Sequence, residues 1–454
     1  MSSAEKDSGV YEITRATLSY SWAVSLLGLQ QAYGALSRDA ESPQPSEDPD
    51  LTPEERLHDL FKSAFEAGDH VQRDMLDTAS KYLNPRALYD PGAALQLGSE
   101  FVWEMADSFR FFLPEGKTLT AWREIRNKFD VYQLVRSVQS KLRLPRDGAF
   151  NLRGFVEQAY DLGPFPALWA VEGLGHDYAD AVRERGEVFE DLLRGERIQE
   201  LPPKSLLMLH AGIGLSFAQR SMESLTAKTS EGEVKEVVEE FVRLCRVNSE
   251  PGYTGAALES LGLVTRTFHA ELVPAVDRAL EGFGPEVQGY FWHGAGRATY
   301  FLLVNFLPYR DPIWRAVEMG RQEAPHEIAR HNLMSGTAWA LTLVNMRHPE
   351  VMATFLEEHA DELWESRAAF RNGVQSALIM RFDTSSDDPY IEPFRDFQPP
   401  ESKSRLREQW AELIRSPIED GLGRLYPALK EHLRLEEIFR FQALDTLVDS
   451  LKKK

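Results

Sequence analysis

Five residues of this chain have side chains that are costly to bury and sit where burial is expected: Glu172, His176, His210, His293 and Arg297. All five fall in apolar runs marked by glycine: Val171-Glu-Gly-Leu-Gly-His176, His210-Ala-Gly-Ile-Gly214 and Trp292-His-Gly-Ala-Gly-Arg297. A carboxylate or guanidinium taken out of water without a partner is strongly destabilising, so Glu172 and Arg297 must either pair or face a cavity. Trp169, Phe217, Trp292, Tyr300 and Trp339 surround them. An apolar, aromatic hollow with a few polar groups is the usual form of a small-molecule site. The candidate pocket therefore comprises Glu172, His176, His210, Trp292, His293, Arg297 and Trp339. A glutamate beside a histidine there could act as acid and base. The competing reading is plainer, since a lone histidine on an apolar helix is more often a satisfied core residue.

Other chemistries fit poorly. Gly294-Ala-Gly296 lacks the third glycine of a dinucleotide loop, and a helix precedes it where a strand is required. His326-Glu-Ile-Ala-Arg-His331 is one residue too long for two metal ligands on one helix face. Glu323-Ala-Pro-His326 has the spacing of a di-iron motif but no second copy. The run Glu357–Glu362 reads as a solvated helix face. No metal and no cofactor is expected. The single cysteine, Cys245, lies on an apolar helical stripe, where a core role is the default.

The elements that carry these residues repeat. Gly296-Arg-Ala-Thr-Tyr-Phe-Leu-Leu-Val-Asn305 aligns with Gly336-Thr-Ala-Trp-Ala-Leu-Thr-Leu-Val-Asn345 at a constant offset of 40 residues. A longer repeat encloses it. Glu172-Gly-Leu-Gly175 matches Glu259-Ser-Leu-Gly262, and Gly212-Ile-Gly214 matches Gly294-Ala-Gly296. Two modules, near 165–250 and 252–346, run in tandem, and Gly373 marks a partial third. Periods of this length belong to repeat architectures. Within a helix each glycine costs about 1 kcal/mol relative to alanine. Close helix packing would offset that at Gly175, Gly212, Gly214, Gly262, Gly294, Gly296, Gly336 and Gly373, and so would a bound ligand.

Helix starts are written with proline at the first position: Gly284-Pro285, Asp311-Pro312 and His348-Pro349. Runs of alternating β-branched residues are few. The expectation is an all-α protein of tandem helix-turn-helix modules with an added N-terminal helical region. Residues 1–150 form that region, with helices over 11–36, 57–65, 69–82, 93–112 and 119–141 and an acidic, proline-rich linker over 37–55. The duplicated domain spans 155–383. A second acidic linker over 383–404 leads to helices over 406–414 and 421–451.

The chain has 454 residues and a formal net charge of −20. Such a surface repels phosphate backbones, so nucleic acid is an unsuitable partner. The start Met1-Ser-Ser-Ala-Glu-Lys-Asp has no basic stretch followed by an apolar run, and the apolar segment 16–36 is interrupted by serines and glutamines. Neither a secretory signal nor a membrane span is expected, and a cytoplasmic location is.

In order, Val171–Gly175, Ala211-Gly-Ile-Gly-Leu-Ser216, Tyr253–His269, His293-Gly-Ala-Gly-Arg-Ala-Thr-Tyr-Phe301, Ser335-Gly-Thr-Ala-Trp339 and Phe370–Ala377 resemble a family of unknown function encoded in enediyne polyketide gene clusters. The resemblance covers about 155–383. It implies a biosynthetic pathway and no particular reaction. The expected function is an accessory protein that binds an apolar small molecule of natural-product biosynthesis, or a pathway partner protein. The alternatives are an enzyme acting on an apolar polyketide-type substrate, with Glu172 and a histidine as acid and base, and a phasin-like protein at a lipid or granule surface. A second copy of the chain is a further candidate partner.

Overall fold

A computed structural model describes residues 120, 123–128, 130–131, 142–147, 150–302, 305 and 311–451. The chain divides into two compact units, Met1–Leu113 and Pro114–Lys454, and the described residues all belong to the second. The helices and linker expected between residues 11 and 112 lie outside the described residues. So does the N-terminal surface on which the lipid or granule reading depends.

The described residues form an all-α structure. They contain no strand, only an isolated bridge between Leu193 and Ser249. No described helix is long and apolar enough to cross a membrane. Six core helices set the architecture: α1 (Pro164–Glu184), α2 (Leu206–Glu223), α3 (Thr254–Phe268), α4 (Pro285–Tyr300), α5 (Glu327–Asn345) and α6 (Arg367–Thr384). Proline opens α1 and α4, each behind a glycine of positive φ, Gly163 and Gly284. His326 caps α5 by accepting from the Ala329 N–H. That cap role removes His326 from any zinc-type helix face.

Each core helix packs on the next in chain order. Neighbours run parallel. From α4 to α5, Thr337 Oγ1 donates to Gly296 O at 3.1 Å and Asn345 Nδ2 to Tyr300 OH at 2.9 Å, so residue numbers rise together on both helices. Parallel neighbours need a returning element. Outer helices supply it: Glu231–Asn248, Val273–Leu280, Pro312–Glu323 and Pro349–His359. Ser230 and Glu233 close a reciprocal capping box at the first of these. The Asp311 side chain caps the third by accepting from the Trp314 N–H.

The helix crossings share one construction. A Cβ placed on Gly175 would meet Leu209 O, and one on Gly212 would meet Glu172 O, both closer than 3.0 Å. The same reciprocity joins Gly262 to Phe291 O and Gly294 to Glu259 O, then Gly296 to Leu333 O and Gly336 to His293 O. In every case the glycine faces the carbonyl three residues before its partner glycine. Gly214 meets the Ala257 backbone and Gly373 meets Ser335 O in the same manner. The two sequence modules thus use equivalent glycines against equivalent carbonyls. Small residues allow backbones this near, and Cα–H donors then face carbonyl oxygens.

The end of α6 meets the start of α1: Ser385 Oγ donates to Pro164 O at 3.2 Å, and Arg381, ion-paired with Asp388, donates to Phe165 O at 3.4 Å. Residues 123–128 and 130–131 lie at the C-terminal ends of α4 and α5. There Lys128 pairs with Glu124 at 2.5 Å and donates to Asn305 O, while Asn127 bonds Asn345.

The acidic segment 383–404 is structured and packed. It holds the helix Ile391–Asp396, whose Ile391 and Phe394 are buried, and Phe397 packs on Trp410. Hydrophobic side chains, not the proline and acid content, decide its state. Downstream, the chain stays helical from Ser404 to Glu431 through two π-turns, Ala411–Arg415 and Gly421–Leu425. Pro417 and Pro427 each follow one of them by two residues, and the wider turn makes room for the proline ring. The helix expected over 421–451 is interrupted at Leu433, which has φ of 52°. A 3₁₀ turn, Leu435–Phe439, follows and lies against α3, α4 and α6 before the last helix, Leu444–Leu451.

Candidate functional site

Four of the residues singled out from sequence converge at the centre of the helix row, around a fifth. Glu259, on α3, is fully buried. One of its carboxylate oxygens takes the Nδ1 of His293 at 3.0 Å, and the other takes Nη1 of Arg297 at 2.5 Å. Glu172, on α1, lies 3.6 Å from Nη2 of the same arginine. The guanidinium stacks 4.3 Å above the ring centre of Trp339, on α5. The two carboxylates are the equivalent glutamates of the two modules, each three residues before a crossing glycine. The duplication therefore delivers both acids to one arginine.

The helix crossings explain the placement. The backbone carbonyls of Glu172, Glu259 and His293 face the glycines of neighbouring helices. Side chains at the point of closest approach are forced inward, where three helices can share one arginine. Burial pushes the Glu172 carboxyl above the ordinary carboxylate range, against the pull of Arg297. Burial also holds the His293 imidazole below its ordinary value, although Glu259 works the other way. With Nδ1–H donated to Glu259, the neutral ring presents Nε2 as a lone pair.

Three buried polar atoms of this cluster have no partner: His293 Nε2, Arg297 Nε and Trp339 Nε1. The ring of Phe439, in the 3₁₀ turn, lies against both, 6.4 Å from His293 and 6.3 Å from Trp339 between ring centres. Phe439 closes the cluster but offers no hydrogen-bond acceptor.

The remaining candidates lie elsewhere. His210 is a core residue. It takes up Leu206 O at 2.6 Å through Nδ1, accepts the Glu250 N–H at Nε2, and stacks on Tyr253. Burial lowers it to about 4. His176 is half-buried beside Gln219 and Asp180, in a polar group that includes Ser216 and Arg220. Trp292 points away from the cluster and donates to Asp277 at 2.7 Å, next to His326. Cys245 is buried, and burial raises its thiol well above the ordinary value. The eight glycines all stand against backbone, not against a hollow.

Glu259 and Phe439 were not among the residues chosen from sequence. The match of Glu259-Ser-Leu-Gly262 to Glu172-Gly-Leu-Gly175 was the available signal for the first. Nothing local marks the second. Among the described residues, Asp311, Glu358 and His359 bring ligand-type atoms within 4.8 Å of one another, with His359 Nε2 on Asp311 at 2.7 Å and its ring stacked on Trp314. A groove of about 700 Å³ opens near Asp387, Glu392 and Glu419, away from the central cluster. Comparison with protein-family models, curated proteins and solved structures returned no match to this chain.

Proposed function

We propose that this protein binds an apolar small molecule at the Glu172–Glu259–His293–Arg297–Trp339 cluster. One observation carries the reading: three buried polar atoms of a single cluster lack partners. A buried donor or acceptor left unsatisfied costs about 1–3 kcal/mol, so a native site that keeps three calls for a group that completes them. The walls are aromatic and the polar groups few, as in small-molecule sites generally. The resemblance of the glycine motifs to the enediyne-cluster family supports an apolar polyketide as the molecule and an accessory role in its biosynthesis.

The Glu259–His293 pair favours a second reading, catalysis. A carboxylate that orients an imidazole, with the far nitrogen free, is the arrangement of a general base, and a protonated Glu172 would be the matching acid. The fate of the bound molecule separates the two. Recovery unchanged supports binding; chemical change that His293→Gln abolishes supports catalysis.

The test is a thermal-shift and tryptophan-quenching screen of apolar conjugated molecules. A ligand at a hundredfold excess over its Kd stabilises the fold by about 2.7 kcal/mol. Trp339→Phe removes the indole N–H and part of a fully buried ring, so it should lower the unliganded melting temperature through the cavity it leaves and weaken binding about tenfold. Equal binding by Trp339→Phe and wild type would refute the site.

A further inference from the structure

We infer that Phe439 stands in the ligand's place, and that the segment 432–442 is a gate over the central cluster. The inference rests on reading that cluster as a binding site, and adds the class of ligand and the route to it.

The occupant fits in shape and not in chemistry. Phe439 is fully buried, edge-on to His293 at 80° and tilted 44° to Trp339. Those are ordinary attractive ring geometries. Yet both neighbours keep a polar nitrogen without a partner, as does Arg297. A hydrocarbon ring cannot satisfy them. A flat ring that also carries an oxygen acceptor satisfies two of the three, because Arg297 Nε–H and Trp339 Nε1–H are both donors, while the lone pair at His293 Nε2 calls for a donor group elsewhere on the molecule. The acceptor should be neutral. Glu259 already neutralises the only cation of the cluster at 2.5 Å, so a carboxylate or phosphate would find no free positive charge. The geometry therefore selects an aromatic or conjugated ketone.

The segment is built to move as a unit. Its charges are tied to one another: Glu437, buried, is held by Arg434 and Arg440, and Gln442 donates to the same carboxylate. These bonds travel with the turn. Four hydrogen bonds tie it to the core, and Arg440 also pairs with Glu286 of α4 at 3.4 Å. Glu436 N–H reaches Gly252 O at 2.9 Å, Gly255 N–H reaches the Glu436 side chain at 3.1 Å, Phe441 N–H reaches Asn332 Oδ1 at 2.6 Å, and Asn372 reaches Gln442 O at 3.0 Å. At one end sits Leu433, more than half exposed and held at positive φ. A non-glycine residue there stores strain that lifting the segment can release.

Hydrogen exchange on the full chain, with 9-fluorenone as probe and fluorene as its hydrocarbon control, tests the inference. The amides of Glu436 and Phe441 should exchange through a local opening faster than those of α4, and fluorenone should slow them at least tenfold while fluorene does not. Asn332→Ala removes one tie; it should speed this exchange and tighten fluorenone binding about tenfold. Exchange of the segment only in step with α4, with fluorenone binding that depends on Trp339, would overturn the gate and leave the binding site standing. Failure of fluorenone to bind either protein, with the segment still opening locally, would overturn both the ketone assignment and the site.

Discussion

Glu172 is the least well paired charge of the cluster. Glu259 holds both His293 and Arg297, whereas Glu172 reaches only the arginine, at 3.6 Å. Its raised carboxyl means that the folded state favours the protonated form. Stability from this group is then greatest at low pH and is lost as pH rises past the ordinary carboxylate range. Replacing it by a neutral isostere should remove that loss. Glu172→Gln is expected to be more stable than wild type by about 1 kcal/mol at pH 7 and to show no gain at pH 4, by urea unfolding, while ligand binding falls. A less stable variant at pH 7 would mean that the arginine needs both carboxylates. Sequence alone marked Glu172 and Arg297 as residues that must pair or face a cavity. It could not say with what, because the partner stands on another helix and in the other module.

At the scale of the helix, the crossings are the organising feature. Each glycine of a pair faces the carbonyl three residues before the other, so both report one interhelical distance. A methyl group at either position must push backbone against backbone, and overpacking typically costs about 1–3 kcal/mol, enough to outweigh the helix-propensity gain of about 1 kcal/mol. Gly296→Ala and Gly336→Ala should each lower stability in chemical denaturation. The double variant should cost clearly less than the sum, since the first methyl already separates the helices. Gly175→Ala with Gly336→Ala, at different crossings, should add. Additivity within the 296–336 pair would sink the reciprocal-contact account. The glycine spacing was legible as a repeat of helices. The reciprocity was not, because it depends on the neighbours running parallel, which their sequence spacing leaves open.

Across the whole molecule, stability should depend on pH through its buried histidines. His210 is neutral in the fold down to about pH 4 and takes up a proton near its ordinary value when unfolded. The unfolded state therefore binds more protons between those limits, and the fold loses about 3 kcal/mol from this residue as pH falls from 7 to 4. His293 acts in the same direction. Urea unfolding at pH 7 and pH 4 should show a smaller drop for His210→Gln than for wild type; an equal drop would place the proton uptake elsewhere.

The division between sequence and tertiary structure follows from the range of each force. Helix-forming patterns, proline at helix starts and glycine periodicity act within a few residues, and they alone determined an all-α chain of repeated helical units. Tertiary packing decided the rest. It set Glu172, Glu259 and Arg297 from three helices into one charge cluster, sent His210 and Trp292 to other partners, and ordered the acidic stretch 383–404 by burying Ile391 and Phe394. It also laid Phe439 across a site assembled far earlier in the chain. Burial and charge pairing depend on distances in space, and those arise only when helices far apart in the chain cross closely enough to bring their side chains together.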